Sequence, residues 1–243
     1  MAEKILEVCV DSPDDLKAAI LNGADRIELC QALELGGLTP SAGLMAAART
    51  ASVPIHAMIR PRAGNFSYGP EEIEVMCADI ASAKMHGLSG VVFGALTPHG
   101  QFATRDLQKL LSASAGLATT LHRAFDVMAE PIEAVIDQAI ALGFDRILTS
   151  GRADSAIEGI ALLKRAFANA KGRIVIMPGA GLRPDNLPQL LAEVPAREVH
   201  ASCSIEIPQH VGPEMTPGFT STARKRVDPD QLNRMKKILN ARP

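Results

Sequence analysis

The chain carries Gly23-Ala24-Asp25-Arg26-Ile27-Glu28-Leu29-Cys30 near its start and Gly143-Phe144-Asp145-Arg146-Ile147-Leu148-Thr149-Ser150 past its middle, 143 − 23 = 120 residues apart in a chain of 243. Each copy reads as a tight turn, a short β-branched and aliphatic run, and small polar residues where the run stops. A buried parallel strand enters and leaves its sheet in this way. A repeat at half length, with strands alternating with helices on both sides, predicts one closed structure of two similar halves.

Outward from the repeat, Pro stands near the expected first turn of helix after helix: Ser12-Pro13-Asp14-Asp15, Thr39-Pro40-Ser41, Gly69-Pro70-Glu71-Glu72, Glu130-Pro131, Arg183-Pro184-Asp185 and Asp228-Pro229-Asp230. Strands are expected at 4–10, 25–30, 55–60, 90–94, 118–122, 146–150, 174–177 and 197–201. Helices are expected at roughly 14–22, 41–51, 71–86, 103–114, 131–142, 154–169, 185–192 and 229–240. Eight such units predict a TIM (β/α)8 barrel, a single domain over 1–243, with the repeated strands second and sixth. A doubly wound open sheet is the alternative, but it leaves the half-length spacing unexplained. Apolar residues are 47% of the chain, aromatics 3% and Trp absent, so the core must be aliphatic. Residues 203–228, rich in Pro, Gly and Thr and ending on Arg224-Lys225-Arg226, are expected to be a long loop over the barrel mouth: a lid, an oligomer contact or a mobile segment.

Strand alternation sorts the polar residues. The face toward the helices must be apolar, so polar residues at alternate positions point into the barrel. This sends inward Glu7 and Cys9; Arg26, Glu28 and Cys30; His56, Met58 and Arg60; Thr120 and His122; Arg146 and Ser150; Glu198, His200 and Ser202. Arg26 and Arg146 start their strands, so with Glu198 they are expected to form ion pairs at the barrel floor. Residues at strand ends face the C-terminal mouth, where barrel enzymes place their chemistry. For Glu7 and Glu28 two readings stay open: layer-filling carboxylates paired to an arginine, or general acid/base groups.

Candidate chemistry gathers at four places. Arg60-Pro61-Arg62 sets two guanidinium groups at the end of the third strand, suited to clamp a carboxylate or phosphate or to neutralise Glu7 and Glu28. In His122-Arg123-Ala124-Phe125-Asp126, an inward His is followed by Arg123 and by Asp126, a candidate to fix its tautomer. The turns Thr149-Ser150-Gly151 and Pro178-Gly179-Ala180-Gly181 offer backbone N–H groups to an anion. Cys9 and Cys30, both inward on neighbouring strands, are candidate Cu(I) ligands, with buried core cysteines as the alternative.

Several classes are excluded. A net charge of −2 gives no general attraction to nucleic acid or anionic membranes. The start Met-Ala-Glu-Lys-Ile-Leu-Glu is acidic where a secretory signal is basic, and no apolar run reaches membrane-spanning length, so a cytosolic protein is expected. Cys9, Cys30, Cys77 and Cys203 are scattered without a CxxC, so reduced thiols are expected. No lysine ends a predicted strand, and no P-loop, GxGxxG after the first strand or HExxH occurs, which disfavours Schiff-base aldolases, nucleotide-cofactor dehydrogenases and zincins.

Leu6-Glu7-Val8-Cys9, Gly23 to Cys30, Gly36-Gly37-Leu38-Thr39-Pro40-Ser41, Ile59-Arg60-Pro61-Arg62, His122 to Asp126, Leu148-Thr149-Ser150-Gly151 and Val199-His200 together resemble the CutC copper homeostasis family. The resemblance implies a cytosolic TIM barrel, a homo-oligomer (dimer or tetramer), linked by family name to copper. On it, Cys9 and Cys30 are the positions tied to copper, and Arg60, Arg62, His122 and Asp126 match a cluster of unassigned chemistry. The family's Gly-Gly-Asp-Phe stands here as Ala63-Gly64-Asn65-Phe66, which removes a carboxylate. Two functions follow: copper binding, with Cu(I) as partner, or an isomerase or lyase acting on a small carboxylate or phosphate. In the second, Arg60, Arg62, Arg123, Ser150, Gly179, Gly181 and His200 bind substrate, with Glu7, Glu28, His122 and Asp126 as catalytic candidates.

Overall fold

The computed structural model describes residues 4–208 and 223–241. Eight parallel strands, β1 (Ile5–Val10), β2 (Arg26–Leu29), β3 (Ile55–Met58), β4 (Gly90–Phe93), β5 (Ala118–Leu121), β6 (Arg146–Thr149), β7 (Val175–Pro178) and β8 (Glu198–Ala201), form one sheet. They pair in the order β7-β6-β5-β4-β3-β2-β1-β8, and β7 lies beside β8, bringing the two sheet ends together. The result is the expected TIM barrel. Helices α1 (Pro13–Leu21), α2 (Ala42–Ala48), α3 (Pro70–Met85), α4 (Thr104–Ala113), α5 (Ile132–Leu142), α6 (Ile160–Ala170), α7 (Leu187–Glu193) and α8 (Pro229–Asn240) follow the strands in turn.

The repeat has a physical reason. Gly23 and Gly143 both sit at φ +96°, the left-handed turn that ends α1 and α5 and that glycine adopts without strain. Ala24 N–H and Phe144 N–H then reach back to the carbonyls of Ala19 and Ala139. Next, Asp25 Oδ2 accepts Leu6 N–H at 2.7 Å, and Asp145 Oδ2 accepts Thr119 N–H at 2.7 Å. Each aspartate thus clamps the start of the preceding strand, in β1 and in β5. The same device sets the register of both half-barrels.

Helix starts partly follow the sequence. Ser12, Ser41 and Asp228 accept from the backbone N–H of Asp15, Leu44 and Asp230, as N-caps do. Helix α6 begins at Ile160 rather than 154, because residues 154–159 are spent on a turn. Helix α7 begins at Leu187, and Pro131 precedes α5 rather than opening it. The expected loop at 203–228 is also corrected. Its described ends, β9 (Ser204–Pro208) and β10 (Ala223–Val227), pair as an antiparallel hairpin, while residues 209–222 lie outside the described residues. The hairpin is tied down by Val227 N–H to Asp15 Oδ1 at 2.9 Å, by Arg226 beside Asp14 and by Gln231 on the Ser204 carbonyl.

Aliphatic side chains from the outer strand faces and inner helix faces make the main core. A separate small cluster of Cys30, Met58 and Val92, with Leu33 against it, fills part of the barrel interior. No helix among the described residues is long and apolar enough to cross a membrane.

Candidate functional site

The floor of the barrel carries the expected ion pairs, with one addition. Arg26 donates to Glu198 Oε2 at 2.5 Å, and Arg146 donates to the same oxygen at 3.1 Å. Arg26 Nε also donates to Glu7, which is wholly buried. Burial by itself raises the pKa of Glu7, but Arg26 and the bond to His200 outweigh it and hold the carboxyl well below the usual range. Glu7 therefore sits in the structural network, where its charge is compensated. It also reaches upward: its Oε1 lies 2.9 Å from His200 Nδ1, and His56 Nδ1 is 4.0 Å from its other oxygen.

One layer higher, three donor groups converge. A sulfur of Cys9, a carboxylate oxygen of Glu28 and a ring nitrogen of His200 all lie within 4.8 Å of one another. Strand register explains it: Cys9 is opposite Glu28 in the β1–β2 ladder, and Glu7 is opposite His200 in the β1–β8 ladder. His200 Nδ1 faces Glu7, so Nε2 turns to the mouth, 3.8 Å from Glu28 Oε2. Burial lowers the pKa of His200, but Glu28 and Cys9 more than reverse this and raise it well above the usual value. Burial raises that of Glu28, an effect the neighbouring His200 only partly offsets.

The paired-cysteine expectation changes. Cys30 is not opposite Cys9 but two residues beyond its partner Glu28, just past the end of β2, and its Sγ donates to Glu28 Oε2 at 3.5 Å. It is fully buried, and burial with the nearby Glu28 pushes its thiol well above the usual range. Cys9 is partly exposed. Glu28 Oε2 thus meets the Cys30 thiol, and the third member of the group around Cys9 and Glu28 is His200, expected as a substrate contact.

Above this cluster a cavity of about 880 Å³ opens at the C-terminal end of the strands. Cys9, Glu28, Arg60, His122, Arg123, Gly181 and His200 line it, with Ile205, Glu206 and Lys225 of the hairpin closing one side. Glu7, Cys30, Arg62, Asp126, Ser150 and Gly179 do not.

The two arginines do not form one clamp. Arg62 bonds Glu72 at the start of α3 at 2.5 Å and the carbonyls of Ala63, Asn65 and Ser67. Arg60 turns inward, yet meets neither Glu7 nor Glu28. Its Nη1 donates to the carbonyls of Leu35 (2.9 Å) and Gly37 (3.1 Å), and its Nη2 to that of Gly64 (2.9 Å).

His122 is buried, packed on the Phe66 ring at 4.7 Å between centroids, and its Nδ1 accepts Ala124 N–H at 3.1 Å. That bond sets the tautomer, not Asp126. Burial, helped by the charge of Arg60, lowers its pKa to about 3, so the ring is neutral and Nε2 carries the proton. Asp126 instead anchors β6: it accepts from Thr149 Oγ1 (2.5 Å), Ser150 N–H and Oγ (both 3.1 Å), Arg152 N–H (3.2 Å) and Arg123 Nε (2.8 Å). Ser150 Oγ is held by Asp126, Arg123 and the Ala153 carbonyl, and Gly179 N–H bonds the Thr149 carbonyl. Leu33 and Leu35, on a single 3-10 turn after β2, are cavity residues that no sequence signal marked, because one turn is too short to show periodicity; Phe66, on the loop after β3, joins them.

A TIM barrel with a polar interior, a charged floor and a Cys–Glu–His cluster at its mouth defines the class. The chain belongs to the CutC family, which it matches over residues 4–205. It is 50% identical to a family protein CutC of Agrobacterium fabrum (strain C58 / ATCC 33970) over 240 residues, covering 98% of this chain and 94% of that one. It is 46% identical to the human protein named copper homeostasis protein cutC homolog over 199 residues, 82% of this chain and 72% of the human one. Among solved structures, the putative copper homeostasis protein CutC from Streptococcus agalactiae superposes with a TM-score of 0.77 at 34% identity, covering 82% of this chain and 98% of that one.

Proposed function

We propose that this chain handles copper, holding one Cu(I) at the barrel mouth between Cys9 and His200, with Glu28 as a third, harder donor. The observation that supports this is the convergence of the three donor atoms within 4.8 Å. Thiolate and imidazole suit Cu(I). The contact of His200 Nδ1 with Glu7 is the outer-sphere arrangement that orients a metal-binding imidazole. Cys30 lies outside this three-donor group, its thiol bonded to Glu28, and is not counted as a ligand. In this reading the protein works in the cytoplasm as a homo-oligomer.

A Cu(I) titration against a competing chelator tests it on wild type, Cys9→Ser, Cys30→Ser and the double variant. Cys9→Ser is expected to lose most of the affinity and Cys30→Ser little. Equal, weak binding by all four proteins refutes a copper site here.

A second reading, an isomerase or lyase for a small carboxylate or phosphate, is favoured by one observation: Arg60 is buried without a carboxylate partner among the described residues. Here Arg60, Arg123, Gly181 and His200 contact substrate, Glu28 and His122 face the reacting atoms, and Glu7, Arg62, Asp126, Ser150 and Gly179 only position the walls. A co-purified organic acid found by native mass spectrometry supports it.

A further inference from the structure

We propose that the β3–β5 wall of the cavity is a binding site for a small organic acid, its carboxylate held between Arg60 Nε and His122 Nε2 and its apolar body against Phe66, Leu33 and Leu35. It deepens the second reading by naming the substrate class, and needs neither copper nor turnover.

Three observations carry it. First, Arg60 is a buried cation whose partners are three neutral carbonyl oxygens, and none of the ion pairs among the described residues includes it. Taking a guanidinium out of water without a counter-charge is costly, and carbonyls disperse the charge without cancelling it. Second, two donors on this wall lack any partner among the described residues: Arg60 Nε and His122 Nε2, on side chains that are 6% and 3% exposed. Buried N–H groups are rarely left so. Third, the two residues form one unit, since Phe66 packs on His122 and lies 5.3 Å under the Arg60 guanidinium. Both residues line the cavity.

The donor set selects the ligand. Three of the five guanidinium N–H groups of Arg60 go to the Leu35, Gly37 and Gly64 carbonyls. The two nitrogens with no partner at all, Arg60 Nε and His122 Nε2, each offer an N–H to one of the two oxygens of a planar carboxylate. The wall is also built to hold this geometry. A Cβ on Gly94 would come within 2.8 Å of the His122 ring, and one on Gly36 within 3.3 Å of Arg60 Nη1, so small residues make room for both. Phe66, Leu33 and Leu35 offer the acid an apolar neighbour.

The test is equilibrium binding to the full chain, with acetate and butyrate as probes and inorganic phosphate as comparison. In protein labelled with ring-15N histidine, butyrate is expected to move the His122 Nε2–H resonance downfield and to saturate, with acetate weaker and phosphate weaker still. His122→Asn keeps an acceptor for Ala124 N–H but removes the Nε2 donor, so it should fold and bind butyrate at least tenfold less tightly by calorimetry, about 1.4 kcal/mol. Arg60→Lys should weaken binding likewise. No saturable shift with either acid, tighter phosphate than butyrate, or unchanged affinity in a folded His122→Asn protein overturns the site. Saturable butyrate binding in a protein that turns over no organic acid sinks the enzyme reading while supporting the site.

Discussion

His122 makes the acid sensitivity of this fold measurable at one residue. The ring is buried and neutral with a folded-state pKa of about 3, while the unfolded chain returns it to about 6.5. Below pH 6.5 the unfolded state therefore binds a proton that the folded state refuses. Stability falls as pH falls through this window, by about 1.4 kcal/mol per unit for one such group. From neutrality to pH 5 that comes to about 2 kcal/mol. His122→Asn removes the titrating group. Losing the ring from its stack on Phe66 costs stability at every pH, but that constant cancels when each protein is compared with itself. Urea unfolding at pH 7 and pH 5 is the assay: wild type should lose about 2 kcal/mol more than the variant over that interval. Equal losses in the two proteins refute the buried neutral imidazole.

Other expectations are equally specific. His56, with a pKa lowered to about 4 mainly by burial, should make a similar contribution that is lost as pH falls from 6.5 towards 4, so a double His56/His122 variant should flatten the acid limb further than either single change. Glu7→Gln leaves Glu198 as the only carboxylate on Arg26 and removes the charge facing His200, and should cost about 3–5 kcal/mol in urea unfolding, whereas replacing Glu7 and Arg26 together by apolar residues should cost less. Gly90→Ala places a Cβ 2.5 Å from the buried His56 ring and should destabilise by about 1–3 kcal/mol, with no comparable loss for Gly43→Ala in α2, where φ is not left-handed and the nearest atom to the new Cβ is 3.8 Å away. Asp145→Ala frees Thr119 N–H at the foot of β5 and should cost about 1.5–3 kcal/mol, with a comparable loss for Asp25→Ala at the foot of β1. Unequal losses would mean that the two copies of the repeat are not mechanically equivalent.

The barrel itself was legible in the chain. Eight alternations of strand and helix, the glycine and aspartate returning at half length, and the parity of Glu7, Arg26, Glu28 and Glu198 along their strands are local properties. Strand alternation alone decides which side chains face inward, and inward charge must be paired, so the Arg26–Glu198–Arg146 floor was also within reach. Partners among inward residues were not. That Cys9 meets Glu28 and His200 instead of Cys30 depends on how far each strand is staggered against the next as the sheet closes, and on β8 returning to β1 across 193 residues between His200 and Glu7. No local pattern encodes that stagger. The fate of Arg60 and Arg62 is a second such case. Both read as free forks, yet one is drawn into the carbonyls of Leu35, Gly37 and Gly64, and the other onto Glu72, by loops turned at left-handed glycines. Sequence alone determined the scaffold and the orientation of its side chains, because both follow from periodicity and burial. Tertiary structure decided which of those side chains touch, because contact across a closed barrel is set by the global register of strands far apart in the chain.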